Sequence, residues 1–217
     1  MKRVLLAGAS GMVGREVLRQ ALADPRIGEI VAPARRPLAA DAKLRNPVVD
    51  FDDLPVDAAW WEVDAVICTL GTTIREAGSQ AAFRKVDLEY PLAVARHALA
   101  HGASTFVLTS ASGANADSRI FYSRTKGELE RSLRALGYGS LCLVRPGLLG
   151  GERERRRPLE HAGMKLLGAM GPLLPSRYRV VPAEQVAATL LREALTAEPG
   201  VRIIESEEIG GSARESR

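Results

Sequence analysis

Short apolar runs recur along the chain, separated by stretches of helical periodicity. Val4-Leu5-Leu6-Ala7, Ala65-Val66-Ile67-Cys68 and Leu141-Cys142-Leu143-Val144 are typical of these runs. Such alternation predicts a parallel sheet covered by helices. The strands fall at Arg3–Ala7, Glu29–Ala34, Pro47–Val49, Ala65–Thr69, Thr105–Thr109, Leu141–Val144 and Val201–Ile204. The helices fall at Val13–Ala23, Phe83–Ala100, Phe121–Leu136 and Glu184–Leu195. Gly102 and Gly137 stand where a glycine helix end belongs, and Asp24-Pro25 stops the first helix. The fold class is α/β, a doubly wound parallel sheet in a single domain spanning 1–217.

After Arg145 the regularity decays. Residues 146–182 are rich in Gly, Pro and Arg, with one weakly helical piece at Leu159–Met170. In a doubly wound sheet, insertions after late strands cover the carboxyl ends, where ligands bind. This stretch reads as a small C-terminal substrate lid, not a second core. Glu207–Arg217 reads as a polar, frayed tail.

A length of 217 residues with 46% hydrophobic content suits one folded α/β domain. The two cysteines, Cys68 and Cys142, lie in apolar runs without disulfide or metal spacing, which fits buried thiols in a reducing compartment. The first residues imitate a secretion signal only briefly, because a glycine turn follows where a cleavage site belongs. No run approaches a membrane span. The expected location is the cytoplasm. The net charge of +4 comes from 25 Arg and 5 Lys against 26 acidic residues, and it is scattered. The one dense stretch, Arg153 to Arg157, is diluted by Glu152 and Glu154 and reads as a solvated loop, which argues against nucleic acid as a partner.

Candidate chemistry changes the picture at two places. The first is the glycine-rich turn Gly8-Ala9-Ser10-Gly11-Met12-Val13-Gly14, between the first strand and the first helix. Gly8 supplies a tight turn, Gly11 lets backbone approach a pyrophosphate, and Gly14 lets the helix pack close to the sheet. The helix N-terminus then offers unpaired N–H groups to the phosphates, and Ser10 adds a hydroxyl. A carboxylate at the end of the second strand would select NAD, and an arginine NADP. That strand runs into Arg35-Arg36, with no acidic residue before Asp41. NADP is therefore the expected cofactor, since a guanidinium grips phosphate bidentately.

The second place is Tyr122 and Lys126, four residues apart and on one face of a helix. Carbonyl reduction needs a proton for the forming alkoxide, and a free tyrosine with a pKa of about 10 gives one up poorly near neutrality. An ammonium one turn away lowers that value by favouring the phenolate, and reaches ribose hydroxyls as well. Ser110, or alternatively Ser112, is placed to hydrogen-bond the substrate carbonyl. Each motif alone recurs by chance; their order along the chain makes the case. Other constellations fail. His97 and His101 have metal-ligand spacing but no third ligand, so no metal is expected. His161 falls in the lid, Trp60-Trp61 reads as a cap on the sheet edge, and the adjacent pairs Asp52-Asp53 and Glu207-Glu208 point apart.

The chain resembles the atypical short-chain dehydrogenase/reductases, near the oxidoreductase-like Tat-interacting protein subgroup. The matching residues are Gly8, Gly11 and Gly14, Arg35-Arg36, Val49-Asp50-Phe51, Cys68-Thr69-Leu70-Gly71-Thr72-Thr73, Val86-Asp87, Ser110, Gly113, Tyr122-x-x-x-Lys126-Gly127-Glu128 and Arg145-Pro146-Gly147. The resemblance implies a Rossmann fold in which Asp50 and Phe51 flank the adenine and Leu70, Gly71, Thr72 and Thr73 line the cofactor. Pro146, Gly147 and Leu148 then pass beside the nicotinamide. Many extended relatives carry Asn where this chain has Asp87. The C-terminal part is shorter than in sugar-nucleotide epimerases, which argues against a nucleotide-sugar substrate. Two functions follow: an NADP-dependent oxidoreductase acting on a small carbonyl or alcohol, or a nonenzymatic NADP(H)-binding regulator or redox sensor. Pairing of helices 83–100 and 121–136 across a two-fold axis, as in relatives, makes either a monomer or a homodimer the expected state.

Overall fold

The computed structural model describes residues 1–150 and 180–211. Within them the chain forms β1 (Lys2–Ala7), α1 (Met12–Ala23), β2 (Ile27–Val31), β3 (Leu44–Arg45), β4 (Ala65–Cys68), α2 (Ile74–Ala77), α3 (Gln80–Arg84), α4 (Tyr90–Ala100), β5 (Thr105–Thr109), α5 (Phe121–Leu136), β6 (Ser140–Arg145), β7 (Leu148–Gly150), β8 (Val180–Pro182), α6 (Ala183–Thr196) and β9 (Gly200–Glu205). Seven strands make one sheet in the order β3-β2-β1-β4-β5-β6-β9, all parallel. The order reverses between β1 and β4, so a crevice opens there at the carboxyl ends, the ligand position in such sheets.

Both faces are covered, which is why the central strands are apolar throughout. Every residue of β4 and β5 is buried. Val13, Val17 and Ala21, four apart on α1, pack with Val186 and Leu190 of α6 on one face. Val94 and Ala98 of α4 and Leu129 and Leu133 of α5 fill the other. Trp61, expected at the sheet edge, is wholly buried on this second face; its indole donates to the Pro55 carbonyl at 2.7 Å and its ring stacks on His97.

Three boundaries differ from the sequence pattern for physical reasons. The third strand forms at Leu44–Arg45, not at Pro47–Val49. Pro47 has no N–H for a ladder, and beyond Arg45 only a single bridge, Ala34 to Val48, survives. Helix 83–100 is interrupted by a π turn at Lys85–Glu89. Pro91 lacks the N–H that would bond the Asp87 carbonyl, and its ring crowds that turn. The tail reading beginning at Glu207 starts too early: Ser206–Glu208 form a 3₁₀ turn with a capping box on Glu205 and Glu208, and Ile209 is buried. The predicted helix at Leu159–Met170, His161 and the Arg153–Arg157 loop lie outside the described residues. The described strands on either side of it, β7 and β8, pair in parallel.

Candidate active site

Both chemical motifs converge on the crevice at the switch point. Gly8 has φ +94°, in the left-handed region, and a Cβ there would lie 2.7 Å from Thr69 Oγ1 and 2.8 Å from the Thr69 carbonyl carbon. Thr69 closes the turn from the neighbouring strand, its hydroxyl donating toward the Ala7 and Gly8 carbonyls at 3.1 and 3.2 Å. Gly11 is the N-cap of α1, with no side-chain cap bond, and its N–H reaches the Gly8 carbonyl at 2.9 Å. A Cβ on Gly14 would overlap the Gly8 carbonyl. The glycines thus let the turn close tightly on β4 and on α1, the first turn of α1 presents backbone N–H groups that no side chain caps, and the residues fit a dinucleotide pyrophosphate.

On the β2–β3 side the crevice is bordered by the loops after those strands. Arg35 and Arg36 are exposed there, as is Asp50. Phe51 is buried, its ring 5.5 Å from that of Tyr90. Asp52 accepts from the Tyr90 hydroxyl at 2.6 Å and pairs with Lys85 at 2.8 Å. These partners, Lys85 first, lower the Asp52 pKa. Burial and then Asp52 push the Tyr90 phenol up to about 12.

At the opposite end, α5 carries a stripe of polar side chains four residues apart: Tyr122, Lys126 and Glu130. The helix can approach its neighbours because of Gly127, where a Cβ would collide with the Asn115–Ala116 backbone. Tyr122 is 37% exposed, leans on Phe83 at 5.7 Å, and its hydroxyl has no hydrogen-bond partner among the described residues. Lys126 is buried and forms an ion pair with Asp87 of the π turn at 2.7 Å. The second Asp87 oxygen accepts the Thr72 N–H at 2.8 Å. A Cβ on Gly71 would lie 3.3 Å from Asp87 and 3.7 Å from Lys126 Nζ, so the pair sits directly under the Leu70–Thr73 loop.

The electrostatics qualify one expectation. Lys126 does favour the Tyr122 phenolate, but desolvation of the phenol is the larger effect and Asp87 opposes Lys126, so the tyrosine pKa is raised, not lowered. Burial disfavours the Lys126 ammonium, yet Asp87 and then Tyr122 more than offset it, and the Lys126 pKa is raised too.

Ser110 follows β5 and is 5% exposed. Its hydroxyl donates to Glu130 at 2.6 Å, and Glu130 is held bidentately by Arg145 at 2.9 and 2.6 Å. Arg145 also reaches Glu205 at 2.9 Å. With its only proton on Glu130, Ser110 in this arrangement presents lone pairs. Ser112 stays half-exposed, its backbone N–H tied to the Pro146 carbonyl at 2.9 Å. Pro146 is buried and Leu148 is half exposed. Sequence reasoning missed Glu130, although its spacing of eight from Tyr122 was a readable signal. Among the described residues no cluster of three potential metal ligands occurs, and no helix is long and apolar enough to cross a membrane.

Comparisons with known proteins bear on the family and the fold. Residues 8–195 match the NAD(P)H-binding family. Protein HTATIP2 of Rattus norvegicus is 33% identical over 204 residues, covering 92% of this chain and 84% of that protein. The mitochondrial protein fmp52 of Emericella nidulans is 35% identical over 181 residues, covering 79% of this chain and 77% of its own length. Among solved structures, MoeE5 in complex with UDP-glucose and NAD superposes with a TM-score of 0.71 at 17% identity, over 94% of this chain and 75% of that one. The oxidoreductase ylbE from Lactococcus lactis gives a TM-score of 0.68 at 17% identity, over 94% and 89%. The chain belongs to the NAD(P)H-binding family of atypical short-chain dehydrogenase/reductases, with HTATIP2 and the fungal fmp52 proteins among its relatives.

Proposed function

We propose that the protein is an NADP-dependent oxidoreductase acting on a small carbonyl or alcohol, with Tyr122 as the acid/base. The observation that carries the reading is the Tyr122 hydroxyl, unpartnered among the described residues, beside a buried Lys126 ammonium, one loop away from the glycine turn and the uncapped N-terminus of α1. A bound nicotinamide cofactor supplies the hydride. In the reducing direction Tyr122 gives its proton to the carbonyl oxygen, and Lys126 stabilises the phenolate that remains. Gly8 to Val13 would hold the pyrophosphate, and Leu70, Gly71 and Thr72 would line the path toward Lys126. Pro146 and Leu148 would flank the nicotinamide. Arg35 and Arg36 would take the 2′-phosphate, and Asp50 and Phe51 would border the adenine.

In this reading the whole chain acts as one domain, with residues 146–182 over the substrate. The two buried, unpaired thiols fit the cytoplasm, although the fungal relatives are named mitochondrial; cell fractionation decides between them. A homodimer through α4 and α5 is slightly favoured over a monomer, and light scattering that gives one subunit's mass would refute it. Absorbance loss of NADPH against a panel of aldehydes and ketones tests the activity. The engagement of Ser110 with Glu130 and of Lys126 with Asp87 favours a second reading, a nonenzymatic NADP(H)-binding sensor. Tight NADPH binding with no carbonyl turned over would establish it.

A further inference from the structure

We propose that Asp87 is a positioning residue whose carboxylate holds Lys126 as an ammonium and Tyr122 as a phenol, so that the site stands charged with protons to donate to a carbonyl oxygen. The inference rests on the Tyr122 acid/base reading and adds a residue and a direction to it. Asp87 is completely buried, in the π turn that Pro91 imposes on its helix. One oxygen is fixed by the Thr72 N–H at 2.8 Å and the other lies 2.7 Å from Lys126. An amide in that place would leave the ammonium buried with no counterion.

The charged groups around the pair are few. Lys126 faces Asp87 from the π turn, Tyr122 from its own helix and Cys68 from β4. Burial pushes the Cys68 thiol up to about 12, so it stays neutral. Tyr122 feels Lys126 and Asp87 in opposite senses. With the carboxylate present, the pair of phenol and ammonium gains little by releasing a proton. Without it, the phenol and the ammonium make a site of net positive charge, and the first proton leaves more readily, whichever residue it comes from.

The test is an NMR titration of the full chain labelled at tyrosine Cζ, lysine Nζ and aspartate Cγ, with Tyr122→Phe assigning the phenol. Burial pushes the Asp87 carboxyl up while Lys126 and the Thr72 N–H oppose it; wild type is expected to keep it ionised at pH 7, and to keep Tyr122 and Lys126 protonated beyond the ordinary range of a phenol and an ammonium. Asp87→Asn should release the first proton of the pair about 1–3 pH units lower. Asp87→Glu, which restores the charge, should return the titration toward wild type. An Asp87 that is protonated at pH 7 in wild type overturns the proposal, and that reading stands even if the Asn variant fails to fold. Coincident titrations in wild type and Asp87→Asn overturn it as well. None of these measurements needs cofactor or substrate. A protein inactive on every carbonyl thus sinks the oxidoreductase reading alone, and an unshifted titration removes only Asp87.

Discussion

Replacing Arg145 by methionine should destabilise the fold more than any other single arginine change outside the cofactor crevice. Arg145 is 18% exposed in its side chain and is the bidentate partner of Glu130, which is 4% exposed. The Glu130 hydrogen bonds raise the Arg145 pKa, so the guanidinium is charged at every accessible pH. Methionine keeps much of the packing but strands the Glu130 carboxylate with one neutral donor, Ser110. Breaking a buried pair from one side costs about 3–5 kcal/mol. The second contact, to Glu205, adds little because that carboxylate is 39% exposed. The lower end, about 3 kcal/mol, is the expectation. With an m-value of about 2.5 kcal/mol per molar urea, the midpoint should fall by roughly 1 M. The control is Arg19→Met, whose pairs with Glu16 and Glu184 lie at a side chain 60% exposed, and which should change stability by less than about 0.5 kcal/mol. Adding Glu130→Gln to Arg145→Met should recover part of the loss, because the stranded charge is gone. Urea unfolding followed by circular dichroism reads all of these. An Arg145→Met midpoint no lower than that of Arg19→Met would refute the buried-pair argument.

Two further predictions concern the crevice. NADPH should bind at least about tenfold more tightly than NADH, and Arg35→Ala should lose most of that preference, since a charge-assisted contact is worth about 1.5–3 kcal/mol. Fluorescence-quenching titrations giving equal affinities would remove the NADP assignment. Gly127→Ala should destabilise the fold by about 1–3 kcal/mol, because its Cβ meets fixed Asn115–Ala116 backbone and not a pliable side chain. Thermal unfolding of Gly127→Ala at the wild-type temperature would contradict the close packing of α5.

The sheet and its phosphate turn were legible because their signals are local. Central parallel strands are buried on both sides and show as apolar runs, and Gly8 and Gly14 mark positions where a Cβ has no room. The helix α5 matched the predicted Phe121–Leu136 for the same reason: amphipathic period, then Gly137 in the left-handed region. What escaped depends on contacts between distant segments. Asp87 meets Lys126 only through the fold, and the π turn that places it arises where Pro91 falls in a helical pattern. The Ser110–Glu130–Arg145 chain joins two strand ends to a helix, so spacing alone showed the Ser110 position but not where its proton goes. The sign of the Tyr122 pKa turned on burial and on Asp87, neither of which a Tyr-x-x-x-Lys spacing contains.

The central claim is that Tyr122 delivers the proton while other residues hold the cofactor. Tyr122→Phe removes one hydroxyl that has no hydrogen-bond partner among the described residues and leaves the ring against Phe83. Measured side by side, NADPH affinity and turnover of a carbonyl substrate should separate. Affinity should stay within about twofold, and turnover should fall by about 10²–10⁴, the contribution of a positioned acid. Turnover by Tyr122→Phe within a few fold of wild type would contradict the account.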